Sequence, residues 1–513
     1  MTKSTECGAI TGLYLNSRLF YLQCPTPLFT IFVLSPHCST AMIELKNRLI
    51  RGSICFAILQ ATEALVVPRS VSDFHKIGTQ DDLFPFLAGD GPYFSYPGDY
   101  GIPVELPTGC KLSQVQLLAR HGERYPTKNK AKKLSKTWGK LQEYSKKFNG
   151  SLSFLNEDYR FFIESSDVLE METTTTNSVN AINPYTGEMD AKKHAQEFLA
   201  LYGELLDPSK EFAVFAASSQ RVHDTAKYFI ESLGSDYNIS LQVVSEEPES
   251  GANNLSPGYS CPAWDADEFS EITDSFSTDY LKEISIRLNN ENKGLNLTSS
   301  DATNLFAWCA FELNARGFSD VCNIFTREEF LNYAYQDDLE SYYQDGPGNP
   351  MIQAVGTNLF NASVELLKQS EELSQRAWLS FTHDTDILNY LTTIGLFDDG
   401  KKLNATHVPF RDHVFHKSWM IPQGARVYTQ KFQCQNDSYV RYVVNDAVIP
   451  IESCSSGPGF SCEIEEFYQY AEQRMAGQDF FKVCNTSSVS NVTDLTFYWD
   501  WETKNYNSTL LKA

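Results

Sequence analysis

The sequence has little positive charge for its length. Its 513 residues include 42 lysines and arginines against 65 aspartates and glutamates, which gives a formal net charge of −23. Nucleic acids are bound mainly through Lys and Arg contacts to phosphate groups, so this balance argues against a nucleic-acid partner. Any phosphate that the protein does bind must be held by a local group of cations.

Long apolar segments are also scarce, and no internal repeat is present. The apolar run at residues 54–59 is too short to span a bilayer, and residues 510–513 show neither an apolar tail nor a retention signal, so we expect no membrane anchor. The hydrophobic content of 42% and the aromatic content of 13% indicate a globular chain with a large core, long enough for two subdomains.

Residues 1–64 have the pattern of a leader with a signal peptide. Three basic residues precede the apolar run at 54–59, and small residues suited to cleavage follow at 61–64. Residues 1–41 show no such pattern, so we expect translation to start at Met42. A single unusual leader or a buried helix is the alternative interpretation of this segment.

Cysteines and glycosylation sequons agree with secretion. Eight cysteines follow the leader, and this even number suggests four disulfides: Cys110, Cys261, Cys309, Cys322, Cys434, Cys454, Cys462 and Cys484. Ten Asn-x-Ser/Thr sequons indicate N-glycans: Asn149, Asn238, Asn254, Asn296, Asn361, Asn404, Asn436, Asn485, Asn491 and Asn507. We therefore expect a secreted glycoprotein of the extracellular space, the cell wall or the periplasmic space.

A histidine and two arginines follow the first strand-like run of the sequence. The mainly apolar residues 115–119 lead directly into Arg120, His121 and Gly122, and Arg124 comes two residues later. Arginine pairs bidentately with phosphoryl oxygens, and histidine can attack phosphorus. This loop therefore predicts a phosphate site.

Two later junctions between a strand and a helix carry further polar residues. The apolar run at 212–217 leads to Arg221, and the run at 377–381 leads to His383 and Asp384. Ligands of open α/β sheets bind at the carboxyl ends of the strands, so we expect these residues to meet the first loop at one edge of a sheet. The set would supply a nucleophile, cations for the phosphoryl oxygens and an acid for the leaving alcohol.

The distribution of strand-like and helix-like segments predicts two parts. Residues 65–224 and 346–513 contain the strand-to-helix junctions and predict an α/β domain. Residues 225–345 contain polar helix-like stretches and few strand-like runs, so we expect a mainly helical insertion domain there.

The motifs at the junctions resemble those of the histidine acid phosphatases. Residues 120–126 are similar to the signature of that family, and His383-Asp384 is similar to its proton-donor motif. Residues 219–226 and 382–393 resemble most closely the secreted repressible acid phosphatases of yeasts. The resemblance implies an α/β sandwich domain, with a central mixed sheet flanked by helices, plus a smaller helical domain. It also implies an active site between them that needs no metal or cofactor.

The resemblance further implies a role for each motif residue. His121 would be the nucleophile that forms a phosphohistidine, and Asp384 would protonate the leaving oxygen. The phosphoryl group would be bound by four side chains: Arg120, Arg124, Arg221 and His383. The disulfides that it implies are Cys110–Cys434, Cys261–Cys484, Cys309–Cys322 and Cys454–Cys462, whereas the spacing of the cysteines alone leaves their pairing open.

These roles predict a bell-shaped pH profile on the acid side of neutrality. Asp384 must hold a proton, which low pH favours and which burial and a neighbouring phosphate would favour further. His121 must be unprotonated at the attacking nitrogen, and the flanking arginines should lower its pKa.

The sequence supports a secreted acid phosphatase of broad specificity that acts on small phosphomonoesters. One alternative is a phytase of the same fold, because lysines at 128–133 could line a cleft for a highly anionic substrate, although the acidic balance of the chain disfavours it. Another is an inactive cell-wall glycoprotein, which the presence of His121 and Asp384 argues against. The sequence does not determine the physiological substrate or the oligomeric state, and a homo-oligomer is one of the possible states.

A second histidine-rich segment invites a metal-site interpretation. It contains His407, His413 and His416 together with Asp412. Their spacing matches no common pattern of metal ligands, so we predict no metal site there.

Overall fold

The computed structural model describes residues 80–98, 100–175, 183–370, 374–409, 413–493, 495 and 498, together with the backbone of residues 511–512. The predicted leader at 1–64, Asp412 and the sequon at Asn507 lie outside the described residues. None of the helices described is both long and apolar enough to cross a membrane.

A mixed sheet of nine strands lies at the centre of the fold. The strands are β1 (Cys110–Arg120), β2 (Glu211–Ala217), β3 (Asn238–Val244), β4 (Ala377–Thr382), β5 (Arg426–Cys434), β6 (Asp437–Val444), β7 (Ala447–Ile449), β8 (Cys462–Glu463) and β9 (Leu511–Lys512). Their order is β7-β6-β5-β1-β4-β2-β3-β9, and β8 pairs with β6. Neighbours among β1, β4, β2 and β3 are parallel, whereas the other pairs are antiparallel.

The described chain contains α-helices of 4 to 19 residues. They are α1 (Lys128–Glu143), α2 (Gly187–Tyr202), α3 (Gln220–Leu233), α4 (Ser270–Thr273), α5 (Asp279–Glu291), α6 (Ser299–Arg316), α7 (Arg327–Gln344), α8 (Pro350–Lys368), α9 (Asp384–Ile394), α10 (Lys417–Met420), α11 (Ile464–Met475) and α12 (Phe480–Val483). Short 3₁₀ turns connect several of them.

Helices cover both faces of the sheet. On one face, Gln114 and Gln116 of β1 donate hydrogen bonds to backbone carbonyls of α8. On the other face, Tyr428 of β5, the register partner of Leu117, contacts His194 of α2. All six residues of β4 are buried, as expected for a strand that is covered on both sides. The predicted α/β fold with a central mixed sheet flanked by helices is confirmed.

A second apolar core lies outside the sheet and is built mainly by helices. Trp308 of α6 is fully buried in this core, where α1 and α5 pack against α6. Residues 245–345 contain helices and no strand in the described structure. Most of α3 and all of β3 lie after residue 225, within the segment for which we predicted a mainly helical insertion. Strand β3 has a mostly half-buried, weakly apolar sequence and was therefore not evident from the pattern.

The eight cysteines form four pairs at disulfide distance. The pairs are Cys110–Cys434, Cys261–Cys484, Cys309–Cys322 and Cys454–Cys462, which are those that the resemblance implies. Cys110 and Cys434 lie opposite each other on β1 and β5, so this disulfide joins two neighbouring strands near the sheet centre.

The sequon asparagines differ in their exposure. Seven are exposed: Asn149, Asn238, Asn296, Asn361, Asn436, Asn485 and Asn491. Asn404 is half-buried, and Asn254 has 0% exposure. The amide nitrogen of Asn254 donates to the Gly251 carbonyl at 2.6 Å and to Ser260 Oγ at 2.8 Å. The structure therefore argues against a glycan on Asn254, although its sequon is intact.

We expect Asn254 to stay unmodified in the secreted protein, because a glycan would have to replace the hydrogen bonds of its buried amide. Enzymatic deglycosylation in ¹⁸O-labelled water followed by peptide mass spectrometry measures the occupancy of each sequon. The exposed Asn296 serves as the comparison within the same digest. Substantial labelling of Asn254 would contradict the packing described.

Candidate active site

The three predicted junctions meet at one edge of the sheet. Arg120 ends β1, and its register partner on the parallel strand β4 is Thr382. The backbone N–H of His121 donates to the Thr382 carbonyl at 3.0 Å. The ring centroids of His121 and His383 lie 5.7 Å apart, and Arg221 Nη2 lies 3.3 Å from His383 Nδ1. Residues more than 250 positions apart in the chain thus form one cluster.

His121 is buried and its ring is oriented by its own loop. Its Nδ1 lies 2.8 Å from the Gly122 carbonyl oxygen, and because a carbonyl can only accept, Nδ1 carries the proton. This tautomer leaves Nε2 with a free electron pair. Burial lowers the pKa of His121 well below its ordinary value, and nearby positive charges act in the same direction: Arg221, Arg120 and Arg124. The imidazole therefore stays neutral and nucleophilic in mild acid.

Gly122 allows the loop that follows β1 to pack closely on the structure beneath it. Its backbone N–H donates to Thr225 Oγ1 at 2.9 Å. A Cβ at this position would overlap the carboxylate of Glu172 and the backbone of Gly187. A larger residue would displace the loop that orients the His121 ring.

Three arginines supply the positive charge of the site. Arg120 is fixed by its Nη1, which donates to the carbonyl oxygens of Gly89 and Ile421 at 2.5 and 2.6 Å. Among the described residues, the Nε–H groups of Arg120, Arg124 and Arg221 are buried without a hydrogen-bond partner. Such unpaired buried donors are rare in folded proteins. An anion with several oxygen atoms would satisfy these donors.

Arg124 is held in the site with its charged form disfavoured, chiefly by burial. Burial lowers the pKa of Arg124 to about 10, and the neighbouring Arg221 and Arg120 act in the same direction against the opposing charge of Asp90. The guanidinium also lies over the Phe311 ring, 5.4 Å from its centroid. A bound anion would relieve the repulsion between these cations.

Asp384 forms an ion pair with Arg120 across the site, with 2.8 Å between Oδ2 and Nη2. Burial raises the pKa of the Asp384 carboxyl, but nearby cations outweigh burial and hold that pKa well below its ordinary value: Arg120, Lys417, Arg124 and His383. The expectation that burial would favour the protonated acid is therefore not met in the ligand-free site. A bound anion would offset the same cations and raise this pKa.

Glu246 is a site residue that the sequence analysis missed. It follows β3, and its Oε1 forms a hydrogen bond with His383 Nε2. Its other oxygen accepts from the backbone N–H of Ser219 at 2.5 Å, immediately before α3. Burial alone would raise the pKa of Glu246, but the His383 and Ser219 hydrogen bonds bring it to about 2, so the side chain is a carboxylate. Glu246 belongs to no recognisable motif, and the strand that precedes it, β3, was not predicted from the sequence.

The contact with Glu246 affects the protonation and the tautomer of the His383 imidazole. Burial lowers the pKa of His383, as does Arg221, while the bond to Glu246 opposes this shift. In the neutral ring Nε2–H donates to the carboxylate, and Nδ1 accepts from Arg221. When Nδ1 gains a proton, it becomes a donor that can bind an oxyanion.

Two further carboxyl groups lie buried beneath the loop. Burial raises the pKa of both Glu123 and Glu172 well above the ordinary value. Glu123 Oε1 accepts from the Tyr93 backbone N–H at 2.8 Å, and Glu172 Oε1 lies 2.9 Å from Thr225 Oγ1. These contacts support the loop from below. Because burial favours the protonated, neutral form of both carboxyl groups, they do not reduce the positive charge of the arginines.

Comparisons with known proteins agree with this geometry. A family model described as "Histidine phosphatase superfamily (branch 2)" matches residues 111–445. A constitutive acid phosphatase of Saccharomyces cerevisiae is 64% identical over 463 residues, which are 90% of this chain and 99% of that protein. A repressible acid phosphatase of the same yeast is 60% identical with the same coverage. The crystal structure of the phytase from D. castellii matches with a TM-score of 0.79 and 40% identity, over 86% of this chain and 96% of that one.

Proposed function

The chain belongs to branch 2 of the histidine phosphatase superfamily, and from this membership and the geometry of the site we propose that it is an acid phosphatase. It hydrolyses phosphate monoesters to an alcohol and inorganic phosphate, with broad specificity, through a phosphohistidine at His121. The observation that carries the proposal is the set of three arginines whose Nε–H groups are buried and unpaired beside a neutral imidazole.

The reaction has two steps at one phosphorus atom. The phosphoryl oxygens bind the three arginines and His383, and His121 Nε2 attacks phosphorus. The bond from phosphorus to the ester oxygen breaks, and Asp384 gives its proton to the leaving alcohol. Water then attacks the phosphorus of the phosphohistidine and gives a proton to Asp384. The bond from phosphorus to His121 Nε2 breaks, so phosphate is released and His121 is restored.

Substrate binding favours protonation of Asp384 by the acidic solvent. Its carboxyl has a depressed pKa because cations surround it, and a phosphate anion neutralises those cations. Protonation is then favoured in acid and lost as the pH rises through the pKa of Asp384 in the complex. His121, with its lowered pKa, remains neutral in the same range. Activity is therefore confined to the acid side of neutrality.

Trapping of the covalent intermediate tests this proposal. The secreted protein is mixed with a ³²P-labelled aryl phosphate in acid, quenched in alkali, and digested for mass spectrometry. We expect alkali-stable, acid-labile phosphate on the peptide that contains His121, and none in His121→Ala. The exposed His407→Ala is the matched control. A wild-type protein without labelled peptide would support the inactive binding glycoprotein instead.

A phytase of the same fold is the second candidate, favoured by the likeness to the D. castellii phytase. The basic helix α1 is the feature that would bind a highly anionic substrate. However, Lys128 and Lys130 lie 3.6 Å from Glu170 and Asp90, respectively, so acidic neighbours offset part of their charge. We expect kcat/KM to be lower for phytate than for an aryl phosphate, and the reverse order would favour the phytase.

The protein acts outside the cytosol. Four disulfide-distance cysteine pairs suit an oxidising compartment, and exposed sequons suit N-glycosylation. The extracellular space, the cell wall and the periplasmic space all agree with these features and with a small phosphomonoester as substrate.

Glu246 positions His383 for phosphate binding. We expect Glu246→Gln to raise KM and the inhibition constant of inorganic phosphate by roughly 10- to 100-fold, since a charge-assisted hydrogen bond to the imidazole is lost. The increase should be larger at the higher end of the active pH range, where His383 needs the carboxylate to gain its second proton. Steady-state kinetics across pH measure both constants.

Glu249→Gln is the matched control for this variant, because it makes the same charge change at an exposed position three residues away. It should leave both constants unchanged. If Glu246→Gln bound phosphate as the wild type does at every pH, Glu246 would have no positioning role.

A further inference from the structure

Asp338, His413 and His416 bring three metal-binding side chains together outside the phosphate site. Asp338 lies on α7, and the two histidines directly precede α10. One ligand atom from each residue lies within 4.8 Å of the other two. The spacing of His407, His413 and His416 predicted no metal site, and His407 is indeed exposed, where it contacts Thr406. The carboxylate of Asp338 lies 75 residues before His413 in the sequence, so the local spacing of residues could not predict that it joins the histidines.

Both nitrogen–oxygen distances in this cluster match those between ligands that share one ion. His413 Nε2 and His416 Nδ1 each lie 3.3 Å from Asp338 Oδ2. A direct charge-assisted N–H···O⁻ bond is shorter, about 2.7–2.9 Å. A tetrahedral zinc ion with bonds of about 2.0–2.1 Å places its ligand atoms about 3.3 Å apart.

Packing holds the three side chains in place. The backbone N–H of Lys417 donates to Asp338 Oδ1 at 2.6 Å, which leaves Oδ2 to the imidazoles. The His416 ring stacks on Trp419 with 3.9 Å between centroids, and His413 lies edge-on to Tyr335. The side chains are only 5%, 12% and 21% exposed for Asp338, His413 and His416. Ligands fixed by outer contacts in this way lose little freedom on binding an ion.

We propose that Asp338, His413 and His416 bind a divalent transition metal ion, for which zinc is the best match. Two imidazole nitrogens and one carboxylate oxygen form a donor set that zinc favours, and water completes the tetrahedron. The ion would join α7 to the segment before α10. Because Asp338 and the histidines take no part in the phosphoryl transfer derived above, the expected role of the ion is structural.

Calorimetric titration of the chelator-treated, full-length protein with Zn²⁺ tests the site. The measurement is made at pH 7 in phosphate-free buffer, because imidazole binds a metal only when unprotonated. We expect one zinc ion per chain, a rise in Tm, and at least about 10-fold weaker binding in His413→Asn and in His416→Asn. His407→Asn is the control and should bind as the wild type does.

Unchanged zinc affinity in both His413→Asn and His416→Asn would place any bound ion elsewhere and overturn the proposal, as would absence of binding to the wild type. Crystals soaked in Zn²⁺ provide a second measurement that needs no variant. An anomalous peak between the three side chains supports the site. A peak only beside the active-site histidines contradicts it.

Discussion

Replacement of His121 by alanine is expected to lower kcat for an aryl phosphate by on the order of 10⁴-fold or more, because the variant lacks the atom that attacks phosphorus. The three arginines remain in place and still present their unpaired donors. Binding of inorganic phosphate should therefore change much less than kcat. Single-turnover kinetics and calorimetry measure the two quantities separately.

His407→Ala controls for the loss of an imidazole at an exposed position. Thermal unfolding shows whether His121→Ala keeps its fold, since the ring is buried and forms a hydrogen bond with Gly122 within its own loop. A folded variant that hydrolyses the ester at close to the wild-type rate would rule out His121 as the nucleophile.

Replacement of Asp384 by asparagine is expected to lower kcat by roughly 10²- to 10⁴-fold for an alkyl phosphate, the range typical of a lost general acid. The amide keeps the shape of the carboxyl but cannot give a proton to the leaving oxygen. A nitrophenolate needs little protonation to leave, so the loss should be smaller for p-nitrophenyl phosphate. Rates for a series of esters with different leaving-group pKa values measure this dependence.

The pH profile of Asp384→Asn provides an independent readout. In the wild type, activity falls as rising pH removes the proton from Asp384 in the complex, and the variant should lose this alkaline limb. Asp386→Asn would be a poor comparison because Asp386 is buried and accepts from Thr382 at 2.7 Å, so the exposed Asp399→Asn is the better control. Equal losses for good and poor leaving groups would argue against Asp384 as the acid.

The local sequence was sufficient to locate the strand ends that meet at the candidate site. Runs of apolar residues at strand length end at Arg120, before Arg221 and before His383, and the structure forms β1, β2 and β4 there. Parallel strands present their carboxyl ends at one edge, so a pattern of short segments already predicts which residues meet. The nature of those side chains, two histidines and three arginines, then indicates a phosphoryl ligand.

The tertiary structure decided which side chains from distant segments contact the candidate site residues. It also decided how the pKa values of those residues are shifted. Glu246 could not be predicted, because it acts through His383 and follows a strand of weak pattern. Asp384 carries a depressed pKa because its surroundings contain more positive charge than the motif itself shows, Lys417 included. Asn254 has an intact sequon and yet a buried amide.

The sequence by itself therefore determined the family, the strand-to-helix junctions and the candidate site residues that lie at them, since each of these depends on contiguous segments and on the fixed geometry of parallel strands. Only the folded chain decided the partners of His383, the grouping of Asp338 with His413 and His416, and the place of β3 in the sheet. These contacts join segments tens to hundreds of residues apart. Their distances depend on packing and register, which no local pattern records.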